Sequence, residues 1–86
     1  MIHYAAPSFW RAYRELPEPA RLLADKQFEL LKVDPQHPSL HFKRVGRSRF
    51  HSVRVGAHYR ALGVDAPDGV LWWWIGSHAD YDRIVV

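Results

Sequence analysis

The most distinctive chemical feature of this sequence is a long interval that carries positive charge only. No acidic residue occurs between Asp34 and Asp65. The interval holds half of the Lys and Arg residues and four histidines: Lys43, Arg44, Arg47, Arg49, Arg54, Arg60, His37, His41, His51 and His58. A field of one sign attracts polyanions over about 8–10 Å in physiological salt. The pattern therefore predicts binding to nucleic acid or an acidic partner, or else a solvated surface balanced by acidic residues of the helices.

The histidines of this interval do not show the spacing of a metal-binding site. His51 and His58 lie in the basic interval, but no third ligand stands at a recognisable spacing, and the chain has no cysteine. We therefore expect neither a metal nor another cofactor. The absence of cysteine also fits a reducing compartment. The N-terminus lacks the pattern of a signal peptide, and the longest apolar run, Val70 to Ile75, is too short to cross a bilayer. A cytoplasmic protein without a membrane partner is expected.

Two helices are predicted ahead of the basic interval. Apolar residues recur at helical spacing over 9–16, with Ser8 as the expected N-cap. The prolines in 17–19 end this helix, because proline lacks the backbone donor and restricts the residue before it. A second apolar stripe predicts a helix over 19–33. Two helices joined by a short turn form a helical hairpin.

Beyond a loop over 34–39 the apolar periodicity changes to two, which is typical of strands. Four strands are predicted, over 40–45, 49–55, 58–64 and 70–75, separated by the turns 46–48 and 56–57 and the loop 65–69. Residues 1–5 give a weak signal for a further short strand, and 79–86 for a short helical or extended tail. The chain is long enough for one domain, over 1–86. We expect an α+β fold in which the hairpin packs on one face of a four-stranded, mainly antiparallel sheet.

Three consecutive tryptophans occupy the last predicted strand. On a regular strand Trp73 points opposite to Trp72 and Trp74. One side would then pack under the helices. The other side would form a partner groove or a platform for stacking bases, unless all three rings belong to the core.

Three segments that follow the helical hairpin resemble the RelE/ParE toxin superfamily. They are Leu40 to Val45, Phe50 to Arg60 with the pattern R-x-G-x-x-Y-R at its end, and Trp74 to Tyr81 with G-x-H followed by Tyr. The resemblance implies the toxin of a type II toxin–antitoxin pair, inhibited by a cognate antitoxin. RelE-like members cut mRNA in the ribosomal A site, whereas ParE-like members inhibit DNA gyrase. Both share one fold, so the fold alone does not choose between them.

The resemblance also implies a catalytic site. RNA cleavage without metal needs a base for the 2′-hydroxyl, a cation for the charged phosphorane and an acid for the leaving oxygen. Arg54 and Arg60 match basic positions of RelE-like members and can fork onto phosphate oxygens. His78 and Tyr81 follow the last strand, where members carry catalytic residues, and could exchange protons. The remaining residues predicted to bind RNA are Lys43, Arg44, Arg47, Arg49, His51 and His58.

Two departures from the RelE-like pattern bear on the activity. Ser52 stands where some members carry a second basic residue. After the last strand, Asp80 and Asp82 replace a Lys/Arg cluster. These carboxylates would repel RNA, or else would position His78 or Arg60. These departures favour two alternatives to a ribosome-dependent endonuclease. One is a non-catalytic inhibitor of gyrase, and the other is a degenerate toxin-like interaction module. The nuclease prediction requires the two arginines to converge with the imidazole and the phenol.

Overall fold

A computed structural model describes residues 1–47 and 49–85, which form one mixed sheet, three α-helices and a short 3-10 turn. The elements are β1 (Ile2–Ala5), α1 (Pro7–Arg14), α2 (Glu18–Val33), the 3-10 turn (Pro38–Leu40), β2 (Lys43–Val45), β3 (Phe50–Val55), β4 (Tyr59–Ala66), β5 (Gly69–Ser77) and α3 (His78–Val85). The strand order is β1-β5-β4-β3-β2. β1 runs parallel to β5, and the other neighbours are antiparallel.

The predicted hairpin of α1 and α2 covers one face of the sheet, here called the hairpin face. α2 buries Ala20, Ala24 and Leu31, which recur at helical spacing and form one apolar stripe. The strands contribute the other half of this core, namely Val53, Val55, Ala61, Val70, Trp72 and Ile75. Removal of this apolar surface from water is the main source of stability in the domain. The expected α+β class is confirmed.

The α3 helix lies on the opposite face of the sheet, here called the α3 face. Arg54 and Arg60 alternate along their strands with the buried core residues Val53, Val55 and Ala61, so their side chains project from the face that the hairpin does not cover. Tyr81 of α3 packs against Arg60 there. The predicted tail is therefore a helix over the described part of 79–86, while Val86 lies outside the described residues.

The sheet has five strands among the described residues, one more than the sequence predicted. The weak signal at 1–5 is a strand, β1, whose residues Ile2 to Ala5 pair with 69–72. The backbone N–H of Ala6 extends this pairing by donating to the Trp72 carbonyl at 2.8 Å. Ile2 and Tyr4 are largely exposed at the sheet edge, which explains why the alternation of apolar residues was weak.

The first helix begins differently from the prediction. Ala6 is its N-cap and makes no side-chain capping bond, while Pro7 occupies the first turn. Proline suits that position because its missing N–H would be unpaired there in any case. The Ser8 hydroxyl instead donates to the Trp73 carbonyl at 2.7 Å, so the N-cap prediction for Ser8 is wrong. The bond joins the helix to β5.

The strand predicted over 40–45 is shortened to Lys43–Val45. Leu40 ends the 3-10 turn, and His41 adopts a left-handed backbone with φ of 44°, which breaks the extended chain before Phe42. In the predicted turn 46–48, Gly46 and Arg47 also have positive φ, and Ser48 lies outside the described residues.

The tryptophan run contains a β-bulge. Trp72 pairs with Gly63 and Trp74 pairs with Leu62, so Trp73 is an extra residue in the ladder. Trp72 and Trp74 consequently project from opposite faces, and the expected strict alternation is wrong. Trp72 is buried in the hairpin core, whereas the Trp73 ring lies 5.4 Å from the ring of Phe50.

Candidate nucleic-acid interface

Two arginines stand directly opposite each other on the α3 face. Arg54 of β3 and Arg60 of β4 are cross-strand partners, so their side chains are neighbours on one surface. Like charges in this arrangement destabilise a sheet unless something neutralises them. Within the described residues, no ion pair joins either guanidinium to a carboxylate. The pair is therefore a concentrated positive charge that an anion would stabilise.

Arg60 is held under an aromatic ring. Its guanidinium carbon lies 5.5 Å from the centroid of the Tyr81 ring, within the range of a cation–π interaction. The Nε and Nη1 atoms of Arg60 are buried, and the residues the structure describes offer them no hydrogen-bond partner. Tyr81 itself is buried. The Tyr81 ring therefore covers one side of the Arg60 guanidinium, and two of its three nitrogens make no hydrogen bond with the described residues.

Arg54 is fixed by the turn that follows β3. Its Nε donates to the carbonyl of Gly56 at 3.2 Å, and Gly56 adopts a φ of 67° that favours glycine. The backbone carbonyl of Arg54 accepts from Nε2 of the buried Gln27 on α2 at 3.3 Å. Contacts on both faces of the sheet therefore hold this residue in place.

His78 lies at the start of α3, where its ring is next to that of Tyr81. Its backbone N–H donates to the His58 carbonyl at 2.8 Å, which joins the β3–β4 turn to the helix. The imidazole Nδ1 lies 3.2 Å from Oδ2 of Asp82, and the ring centroid lies 5.7 Å from that of Tyr81. A carboxylate at one ring nitrogen orients the imidazole and leaves the other nitrogen for proton exchange.

The four residues predicted as a catalytic site are thus brought together in space. Arg54 adjoins Arg60, Arg60 contacts Tyr81, and Tyr81 contacts His78. The acidic residues of α3 are already partnered, because Asp82 faces His78 and Asp80 binds Arg83 at 2.6 Å. Neither carboxylate forms an ion pair with Arg54 or Arg60.

The predicted RNA-binding residues divide into two groups. Arg44 and His51 bind the carboxylate of Asp65, with a 3.0 Å contact from the Arg44 Nη2 and a 2.7 Å contact from the His51 Nε2. The hydrogen bond from Arg44, followed by that from His51, holds the pKa of Asp65 below its ordinary value. His51 alternates with Ser52 and so belongs to the hairpin side of β3, away from Arg60.

The second group is exposed. Lys43 is the cross-strand partner of Ser52 and so projects from the α3 face, and His58 lies in the turn beside His78. Arg47 and Arg49 are also exposed, near the connection between β2 and β3. Positive charge therefore extends from the arginine pair towards the β2 edge.

Two further residues near the site, Asp82 and Ser52, are departures from the RelE-like pattern whose contacts the sequence did not define in detail. Asp82 orients His78 across one helical turn, a spacing that becomes visible only once 78–85 is known to be helical. Ser52, directly opposite Leu62, is fully buried with a hydroxyl that has no hydrogen-bond partner among the described residues. It leaves an unused polar group near the arginines.

The described residues contain no group of three or more His, Asp or Glu side chains arranged to hold a metal ion. They also contain no helix long and apolar enough to span a membrane.

Residues 21–83 match the sequence model of the ParE-like toxin domain. Among solved structures, the fold is similar to a chain of the RelB–RelE antitoxin–toxin complex from Methanococcus jannaschii, with 18% identity, a TM-score of 0.70, and coverage of 93% of this chain and 96% of that chain. It is also similar to a copper-bound mutant toxin from Helicobacter pylori, with 15% identity, a TM-score of 0.62, and coverage of 91% and 94%. No curated protein sequence matches. The match to the toxin-domain model spans well over half of the chain, and the protein belongs to the ParE-like toxin domain family of the RelE/ParE superfamily.

Proposed function

We propose that this chain is the toxin of a type II toxin–antitoxin pair and that its α3 face binds mRNA on the ribosome and cleaves it. The observation that carries the proposal is the cross-strand pair of Arg54 and Arg60, which has no carboxylate partner among the described residues. A phosphodiester would supply the missing negative charge. The guanidinium fork suits phosphate because it donates to two oxygens at once.

The proposed reaction needs no group from outside the chain and the RNA. The 2′-oxygen attacks phosphorus, the bond to the 5′-oxygen breaks, and a 2′,3′-cyclic phosphate and a free 5′-hydroxyl result. His78 accepts the proton of the 2′-hydroxyl, and its contact with Asp82 stabilises the imidazolium that forms. Arg54 and Arg60 stabilise the charge that develops on the phosphorane oxygens. Tyr81 supports Arg60 and is the proposed proton donor to the 5′-oxygen.

A cognate antitoxin is the proposed protein partner. The similar chain from Methanococcus jannaschii was solved in an antitoxin–toxin complex, and this chain covers nearly all of it. The surface that combines Arg54 and Lys43 is positively charged, so we expect the antitoxin segment that inhibits the toxin to be acidic.

The test is a cell-free translation extract programmed with one mRNA. Wild-type protein is expected to stop translation and to produce mRNA ends within codons. Arg60→Ala is expected to reduce cleavage by about 100-fold or more, because a preorganised charge at the transition state is lost. Arg14→Ala removes the same charge from an exposed position on α1 and is expected to cleave normally. Intact mRNA on ribosomes treated with excess wild-type protein would refute the nuclease.

One observation favours a second candidate, a non-catalytic inhibitor of DNA gyrase. Two of the three guanidinium nitrogens of Arg60 are buried at the contact with Tyr81, which limits how much of the cation RNA could reach. The resemblance to ParE-like toxins, some of which inhibit DNA gyrase, also supports this candidate. A supercoiling assay separates the candidates, because loss of supercoiling with intact mRNA supports the gyrase inhibitor.

A further inference from the structure

The hairpin does not close completely over the sheet. Between α1, α2 and the strands lies a cavity of about 230 Å³, here called the aromatic cleft. Its lining includes the aromatic rings of Trp10 and Tyr13 on α1, Phe28 on α2, and Trp72 on β5. The floor consists of core residues such as Val53 that are themselves buried. The cleft is therefore built into the core rather than being a shallow surface groove.

The mouth of the cleft is unusual for a domain of this size. Trp10 is 45% exposed and Phe28 is 42% exposed, although both rings are large enough to form core contacts. Large aromatic side chains that line a cavity and also reach solvent are typical of ligand-binding sites. A dry apolar cavity of about 150 Å³ accommodates benzene, so this cleft has room for a molecule of two fused rings.

A small number of polar groups face this apolar space. The Oδ1 atom of Asp25 accepts from the Tyr13 hydroxyl at 2.8 Å, and its Oδ2 has no hydrogen bond from the described residues. The Nδ1 atom of His3 accepts from the Trp72 Nε1 at 3.0 Å. Burial lowers the pKa of His3, which favours the neutral imidazole, and the acceptor role of Nδ1 leaves Nε2 as the N–H donor of that form. The cleft offers one free acceptor and one donor.

We propose that the aromatic cleft is a binding site for a small planar aromatic molecule that carries an N–H or O–H donor. The ring occupies the space between Trp10, Phe28 and Trp72, and the donor binds Oδ2 of Asp25. The free carboxylate oxygen selects for a donor, and the cavity volume selects for about two fused rings. The cleft lies on the hairpin face, so this site is separate from the arginine pair and does not depend on the proposed nuclease activity.

The probes for the test are indole and indene, which have nearly the same shape but differ in the N–H donor. In a chemical-shift titration of the full chain, indole is expected to bind one to one with a Kd of about 0.1–1 mM. The resonances of Ala24, Val53 and Ala61 are expected to move, and those of α3 to stay unchanged. Indene is expected to bind about five- to tenfold more weakly, because Asp25 then has no donor to bind.

Two variants locate the site. Asp25→Ala is expected to weaken indole binding about five- to tenfold and to leave indene binding unchanged. Glu18→Ala removes the same charge from an exposed position on α2 outside the cleft and is expected to bind both probes normally. Ala24→Leu fills the cleft and is expected to abolish binding of both probes. If Ala24→Leu does not fold, the Asp25→Ala comparison still decides the outcome.

Three results would overturn the proposal. The first is the absence of saturable binding by indole up to its solubility limit. The second is an equal loss of indole and indene affinity in Asp25→Ala. The third is a movement of the cleft resonances with protein concentration alone, accompanied by dimerisation in sedimentation velocity. That third result would assign the cleft to a second copy of the chain.

Discussion

The two faces of the sheet satisfy their polar groups to very different degrees. On the hairpin face the buried amide of Gln27 donates to the Arg54 carbonyl. On the α3 side, buried atoms of Ser52, Arg60 and Trp73 have no hydrogen-bond partner among the described residues. Buried polar atoms are nearly always paired in stable proteins. The difference indicates that the hairpin face supplies most of the stability, while the α3 face leaves several buried polar atoms of the described residues without a partner.

Truncation of a buried side chain on the hairpin face should give the largest change in the free energy of unfolding. Trp72→Ala is expected to lower the free energy of unfolding by about 3–5 kcal/mol, because it empties a buried site and removes a bond to His3. Urea denaturation measures the change. Trp10→Ala, at a residue that is half exposed, is the matched control and should cost clearly less. Equal losses in the two variants would mean that the burial of Trp72 is not what stabilises the hairpin face.

The next largest effect on stability is expected from loss of the hydrogen bond of the buried Gln27 amide. Gln27→Ala is expected to cost about 1–2 kcal/mol, since the Arg54 carbonyl then loses its partner in a buried place. Gln36→Ala changes an exposed residue in the loop after α2 and should be neutral. Urea midpoints at constant m-value provide the comparison. A neutral Gln27→Ala would show that this bond adds nothing to stability.

On the α3 face, by contrast, removal of a charged side chain should increase the free energy of unfolding. Arg60→Met keeps the length of the side chain, and removes a partly buried charge that faces another arginine. It is expected to raise the free energy of unfolding by up to about 1 kcal/mol while abolishing the proposed activity. Arg83→Met, at an exposed position on α3, should leave both properties nearly unchanged. A destabilised Arg60→Met would show that the arginine is structural.

The smallest effect concerns the ion pairs of Asp65. Its pKa is lowered in the folded chain, so its contribution to stability is complete above the ordinary value of about 4 and is lost as pH falls through the lowered value. Asp65→Asn is expected to be slightly less stable than wild type at pH 6 and equally stable near pH 2. Thermal unfolding across this range checks the prediction. A difference that persists at pH 2 would exclude this carboxylate as its cause.

Local patterns were sufficient to predict some elements from sequence but not others. The helix α2 has a long apolar stripe, and the β4–β5 hairpin has strong turn residues at Pro67 and Asp68, so both were identifiable. The signal for strand β1 was weak because its residues are partly exposed at the sheet edge, and its pairing with the distant strand β5 leaves no local pattern. The bulge at Trp73 was not predictable, because register depends on contacts between strands rather than on alternation within one strand.

The candidate site was predictable only where its contacts follow from residues that are close in sequence. Arg54 and Arg60 flank one tight turn, so their cross-strand pairing follows from local spacing. The binding of Asp65 to Arg44 and His51 was not foreseen, because it joins three strands through side chains. The interval that lacks acidic residues in sequence therefore has a counter-charge in space. The surface available to a polyanion is smaller than the sequence indicates.

The parallel pairing of β1 with β5 has a consequence for how the chain folds. Ile2 pairs with Gly69, so the first strand stays without its partner until residues 69–72 have been made. Such distant contacts slow folding, because the entropy of closing a long loop is lost before the paired strands contribute favourable free energy. The segment that carries His78 and Tyr81 follows β5 directly. A nascent chain therefore displays Arg54 and Arg60 before it acquires His78 and Tyr81, and the assembled site appears only after α3 has been made.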